Sequence, residues 1–282
     1  MAAFTPPIRR HLTAKGHYYK DANGLRVPGV TTLLDKGVPK KALVGWAANT
    51  TADHAVNNWE ELSQKPVAAR LKELQGARWA EKDKAAKRGT EVHHYAEKLL
   101  AGETVNVPDE IAGHVESCAR FLDEFEFKAE HVEFSVASYK YGYAGTGDFI
   151  GTIRLPDSPR DIPGDWRDFI GRRIRILGDW KTNRSGIYGE TALQLAGYRY
   201  ADVMITGDTE QPMPQVDACA ALHLRADGYS LVPVAAGQEI HRLLLYVQQV
   251  ARLDDESRDF IGATIPPPTT STYRLARQEP LQ

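Results

Sequence analysis

The sequence predicts an α/β or α+β domain built on a mixed sheet of about five strands flanked by helices. Three observations carry this. Helical patterns dominate the first 130 residues, alternating strand patterns follow between 131 and 181, and a helix then separates them from two more strands at 216–235. Five strands is close to the usual size of a sheet.

The elements follow in order. Residues 17–34 alternate moderately around Ala22-Asn23-Gly24, so a small β-hairpin is expected there. A helix over 38–58 starts near Pro39, and helical patterns continue through 59–75 and 79–101, the last ending at Gly102. The next helix, 109–128, follows Pro108 and has Asp109 and Glu110 in its first turn, where the helix dipole favours acids. From residue 131, HVEFSVASYKYG and YAGTGDFIGTIRL read as consecutive strands. LPDSPRDIPGDWRDF is a loop or surface insertion, and RIRILGDWK at 173–181 is a third strand. TALQLAGYRYADVMI reads as an amphipathic helix, VDACAALHL and YSLVPVA as strands, and 237–254 as a closing helix before a Pro-rich tail from Pro266. The expected organisation is a β-hairpin and helical cap over 1–78, a core over 79–262 and a tail over 263–282.

Composition narrows the class. With 282 residues, 42% hydrophobic and 26% charged, the chain is expected to fold as an ordinary globular protein. No stretch approaches the roughly 18 apolar residues of a membrane span, and the first 16 residues contain no apolar signal segment, so a cytoplasmic location without membrane contact is expected. Two cysteines, Cys118 and Cys219, cannot supply a four-thiolate zinc or iron–sulfur site. Neither G-x-G-x-x-G nor the P-loop pattern occurs, so no nucleotide cofactor is expected. H-E-x-x-H and G-x-S-x-G are absent too.

The net charge of -2 does not announce a nucleic-acid binder, but its distribution is uneven. Lys65 to Arg88 holds eight basic residues against three acidic ones, and Arg167, Arg172, Arg173 and Arg175 form a second cluster. Either run can be a solvated face; each becomes informative only beside a reaction centre.

Two carboxylates lie within predicted strands: Asp148 after Gly147, and Asp179 after Gly178. A carboxylate so close to a buried strand is costly unless it is paired or bound to a cation. Two on adjacent strands can converge on one Mg²⁺, which prefers oxygen ligands. Lys181 is two residues beyond Asp179, hence on the same sheet face, where an ammonium can position water or offset negative charge on a phosphate. Gln194 and Tyr198 are one turn apart on the following helix, suited to hydrogen-bonding phosphate or stacking on a base. His93 lies one turn after Gly89 on an earlier helix, and imidazole can join two carboxylates around a metal such as Mn²⁺. Glu133 can support such a site or form a surface ion pair.

The series G-x-x-x-H (Gly89 to His93), G-D (Gly147-Asp148), G-D-x-K (Gly178 to Lys181) and Q-x-x-x-Y (Gln194 to Tyr198) resembles the RecB-like PD-(D/E)XK nuclease family in order and in placement on helices and strands. The motifs span about residues 85–205, and residues 26–56 resemble the opening of phage members. The resemblance implies a restriction-endonuclease-like core and a Mg²⁺- or Mn²⁺-dependent DNA exonuclease acting in recombination, repair or phage DNA processing. A structure- or sequence-specific endonuclease and a non-catalytic DNA-binding subunit are the alternatives it leaves open. It further implies that His93, Asp148, Asp179 and the Trp180 backbone carbonyl hold the metal. Lys181 is then catalytic with the two acids, and Gln194 and Tyr198 contact DNA. Lys82, Lys84 and Lys87, just ahead of His93, are expected to attract DNA electrostatically. The four-cysteine iron–sulfur cluster of some relatives is excluded here, which points to a phage-type exonuclease. A recombinase, an annealing protein or a helicase fits as partner, and homo-oligomerisation stays open.

Overall fold

The computed structural model describes residues 4–13, 16–158, 164–183, 186–207 and 209–266. The expected Pro-rich tail lies outside these residues from Pro267 onward, as do residues 159–163 of the expected insertion.

Two sheets and two helical layers make up the fold. Strands β1 (Arg9–Thr13), β2 (Gly16–Lys20) and β3 (Arg26–Val27) form a small antiparallel sheet. Helices α1 (Val30–Gly37), α2 (Lys41–Asn57), α3 (Trp59–Gln64), α4 (Val67–Leu100) and α5 (Asp109–Glu124) follow. Then come β4 (Lys128–Ser138), β5 (Tyr143–Arg154), β6 (Arg173–Lys181), α6 (Glu190–Arg199), β7 (Val203–Thr206), β8 (Thr209–Pro212), β9 (Ala218–Arg225), β10 (Gly228–Pro233) and α7 (Gln238–Glu256). The main sheet has seven strands in the order β10-β9-β6-β5-β4-β7-β8, mixed because β6 and β9 run parallel and the other neighbours antiparallel.

The sheet is therefore larger than the five strands expected. The additional pair is β7–β8. The apolar residues Val203, Met204 and Ile205 continue the helical pattern of the preceding segment, but α6 stops at Arg199 and β7 pairs with β4, Ser135 opposite Ile205. Pairing with an existing sheet edge overrides local periodicity. The expected hairpin is partly replaced: Val30–Gly37 is helical, and β1 adds a strand that the sequence pattern did not mark. The helices expected over 59–75 and 79–101 are redistributed as short α3 and one 34-residue α4, which runs through the expected boundary after residue 78. α5 ends earlier than expected because Glu126 takes a left-handed φ of 45° that turns the chain into β4.

Period-two alternation sorts the sheet into two apolar faces. One carries Ile150, Leu177 and Cys219 against Leu33 and Leu34 of α1, Leu195 of α6 and Leu244 of α7. The other carries Phe149, Ile153, Ile176 and Trp180 against Val92 and Ala96 of α4 and Phe121 of α5. Burying large side chains on both faces, at about 1.5–3 kcal/mol each, fixes the strand register and with it the facing of every polar residue on β5 and β6. α2 contributes no buried residue and lies along α4, where His54 and Lys65 meet Glu73. Among the described residues no helix is long and apolar enough to cross a membrane.

Candidate active site

β5 and β6 pair from Arg154–Arg173 down to Phe149–Gly178 and then separate. Continuing that register by one residue sets Asp148 opposite Asp179, at the point where the strands part. The Trp180 N–H, past the last rung, donates to Asp148 Oδ2 at 2.8 Å. Both acids share a face with Ile150 and Leu177, so they are enclosed under the α1–α6 side: Asp179 is 3% exposed and the Asp148 side chain 14%. Gly178 is required by the reverse face. The Phe149 ring crosses it to pack on Trp180 with ring centres 4.3 Å apart, and a Cβ at 178 would overlap that ring.

Burial, and then the negative charge of Asp179, push the Asp148 carboxyl up to about 7; His93, the Trp180 N–H and Lys181 act against that rise. Two facing acids under an apolar layer are an arrangement that a cation relieves.

Lys181 ends β6 on the same face as Asp179 and forms a close ion pair with its Oδ2. Its ammonium also donates to Gln194 Oε1 at 3.2 Å, while Gln194 Nε2 donates to Asp179 Oδ1 at 2.9 Å and to the Tyr198 hydroxyl at 3.2 Å. Acid, amine and amide thus form a closed triangle braced by a phenol. Gln194 sits inside the site, holding Asp179 and Lys181, rather than on an outward edge free for DNA. Tyr198 departs from the expectation more clearly. It is 2% exposed, with its ring against Gly145, so it neither stacks on a base nor reaches a phosphate from this position. Sequence reasoning placed both on one helix face correctly but could not tell that α6 turns this face inward.

α4 passes the open end of the β5–β6 pair. Gly89 eases this approach, since a Cβ there would stand 3.3 Å from Thr182 Oγ1, a tight contact. One turn later, His93 Nε2 is 3.2 Å from the Trp180 carbonyl oxygen and Nδ1 is 3.8 Å from Asp148 Oδ2. His93, Asp148, Asp179 and the Trp180 carbonyl therefore share one locality. Their donors are not yet convergent: among the described residues no three His, Cys, Asp or Glu side chains gather at metal-holding spacing. The chemistry of the set nonetheless fits a hard or borderline divalent cation, with two carboxylates, a carbonyl and an imidazole. Asp179 Oδ2 is buried without a hydrogen bond among the described residues, its charge met by the Lys181 ammonium alone.

The three lysines expected to attract DNA divide by helix geometry. At 100° per residue, Lys82 returns to within about 20° of His93, some 16 Å along α4, whereas Lys84 lies on the opposite side and Lys87 about 120° away. All three are exposed. Arg173 and Arg175 of the second basic cluster are engaged by Glu126 and Glu130 at the far end of β6. Glu133 is paired with Arg10 at 2.8 Å, the ion pair expected of it.

Several neighbours carried no sequence signal. A cavity of about 310 Å³ beside Lys181 and Gln194 is also lined by Thr31, Lys40, Asn183 and Tyr188. On the other side, the small sheet is pinned to β5: the Tyr19 hydroxyl is 2.6 Å from Thr146 Oγ1, and Arg10 reaches the same oxygen at 3.3 Å. Thr146 is two residues before Asp148 on β5, so β1 and β2 lie beside the site. Burial raises the Tyr19 phenol to about 12, so it stays protonated at neutral pH. Arg10, Tyr19, Thr31 and Lys40 come from segments more than 100 positions before Asp148, which no local spacing could relate to it.

Compared with known proteins, the chain matches no family model and no curated protein.

Proposed function

We propose that this chain is a metal-dependent deoxyribonuclease on a restriction-endonuclease-like core, hydrolysing phosphodiester bonds from a DNA end in recombination, repair or phage DNA processing. The observation that carries the reading is the pair of enclosed, opposed acids, Asp148 and Asp179, with Lys181 bound to the second of them. Structural ion pairs seldom set two carboxylates against each other in a buried site; a site that takes a cation and a phosphate does.

His93, Asp148, Asp179 and the Trp180 carbonyl would hold Mg²⁺ or Mn²⁺, which when bound supplies Lewis-acid polarisation of the phosphoryl group and lowers the pKa of water. The remaining work belongs to the chain. The Lys181 ammonium stands against Asp179, where it would orient the attacking water by hydrogen bonding and offset charge building on the phosphoryl oxygens. Gln194 keeps Lys181 and Asp179 in mutual register, and Tyr198 keeps Gln194 from rotating. His93 meets the Trp180 carbonyl through Nε2 and so fixes the position of that oxygen. The apolar layer of α1 and α6 limits bulk water, which strengthens each of these interactions.

The test is hydrolysis of linear DNA labelled at either end and of a covalently closed circle, with Mg²⁺, with Mn²⁺ or with chelator. Metal-dependent release of end label with the circle intact supports the proposal. Cleavage of the circle makes the enzyme an endonuclease, and binding without cleavage makes it a DNA-binding subunit.

A further inference from the structure

α7 is apolar on two sides. His241, Leu244, Gln248 and Ala251 are buried, with Leu244 and Ala251 in the core that α7 shares with α1 and α6. Leu243, Tyr246, Val250 and Leu253 are each more than half exposed. At 100° per residue these four fall within about 80° of arc, and the buried four lie on the opposite side. Single apolar side chains at a surface are ordinary, but four in one stripe along one helix mark a contact surface. Their spacing of three, four and three residues is the a and d pattern of a helix that packs against another helix.

The two flanks of the stripe differ. On one, the end of α1 closes in, where Gly37 lies against the Val247 backbone. On the other, Arg242, Gln249 and Glu256 are exposed. No ion pair among the described residues involves Arg242 or Glu256.

A second copy of α7 satisfies this surface when it runs antiparallel. Setting Leu243 against the partner's Leu253 also sets Tyr246 against the partner's Val250, and a two-fold axis makes each contact twice. The same alignment brings Arg242 beside the partner's Glu256 on the open flank and Glu239 level with the partner's Ser257. Helix ends of opposite partial charge then lie side by side. A parallel pair would set Glu239 against its own copy and turn Arg242 toward the partner's Val247, leaving it without an acid. An anionic membrane is a poorer occupant. Over 238–260 five acids outnumber three arginines, the reverse of a helix that lies on lipid.

We infer that α7 is the interface between two copies of this chain, packed antiparallel about a two-fold axis level with Gln248. The apolar stripe is its centre, and the Arg242–Glu256 pairs close its edge. This surface is independent of the chemistry assigned to Asp148, Asp179 and Lys181.

Sedimentation equilibrium of the full chain over about 1–100 µM, at low salt, reads the association. The wild type should populate a dimer within this range. Val250→Lys puts a charge in the middle of the stripe and should leave a monomer, with thermal melting checking that the fold is kept at this exposed position. Arg242→Glu and Glu256→Arg each set like charges against each other twice, and each should weaken the dimer by about tenfold or more. Mixed in equal amounts, these two variants present opposite charges at both edges and should recover wild-type association. That recovery separates the antiparallel pairing from any other packing of the stripe. A wild type that stays monomeric at about 100 µM overturns the inference, the outcome expected if residues 267–282 cover the stripe instead. A dimer indifferent to Val250→Lys, or charge variants that the mixture does not rescue, overturn it as well.

Discussion

Asp148→Asn should stabilise the metal-free protein while removing its hydrolytic activity. Burial and the facing Asp179 charge hold the Asp148 carboxyl at about 7 in the folded chain, against an ordinary 3.8. Between these values the folded protein keeps a proton that the unfolded chain has released. Stability therefore falls as pH rises from about 4 to about 7, and the full cost is present above that window. At about 1.4 kcal/mol for each pH unit, the upper figure is near 4 kcal/mol. Solvent reaching the 14% exposed side chain, and proton sharing with Asp179, bring the expected gain in the variant to about 2–3 kcal/mol at pH 8. The Asn carbonyl can still accept the Trp180 N–H, so no donor is orphaned. Urea unfolding in chelator at pH 4 and pH 8 measures this: the two proteins should coincide near pH 4 and diverge toward pH 8. Mn²⁺ at a hundred times its dissociation constant should then stabilise the wild type by about 2.7 kcal/mol and the variant by much less. A variant no more stable than wild type at pH 8 in chelator would refute the argument that this acid is held at electrostatic cost.

Further expectations concern the site's other parts. Lys181→Ala should abolish hydrolysis and leave DNA affinity in chelator within a few-fold, because its contribution belongs to the transition state; filter binding beside single-turnover kinetics separates the two. Tyr198→Phe should cost about 1 kcal/mol through the lost Gln194 hydrogen bond and appear in kcat with KM for DNA unchanged, whereas Tyr198→Ala should cost about 3–5 kcal/mol of stability from the cavity left against Gly145. Lys82→Gln should flatten the salt dependence of duplex binding by about 0.9 while Lys84→Gln, on the far side of α4, should change it little; equal effects would mean that the face of α4 bearing His93 is not the DNA track. Gly178→Ala should destabilise the fold by about 1–3 kcal/mol or more, read by urea unfolding, because the Phe149 ring occupies the space of the added methyl group.

Local patterning alone marked the alternating residues of β5 and β6. Apolar patterning with period two is local, and it put Asp148 and Asp179 on strands and Lys181 on the face of Asp179 before any tertiary neighbour was known. The four spaced motifs likewise marked His93, Gln194 and Tyr198 as one set. What it could not determine was facing and partnership. Gln194 and Tyr198 share a helix face, but only the packing of α6 against β5 turns that face inward and makes them braces of Lys181 and Asp179. Strand β7 was concealed because Val203, Met204 and Ile205 continue a helical pattern, and their strand state depends on β4, some 70 residues earlier. The N-terminal sheet is held beside the site through Tyr19 and Thr146, a hydrogen bond across 127 positions. Propensity and spacing act over a few residues, whereas burial of a shared apolar face acts over the whole chain. The sequence therefore determined the chemical inventory, and tertiary packing decided which of those groups meet.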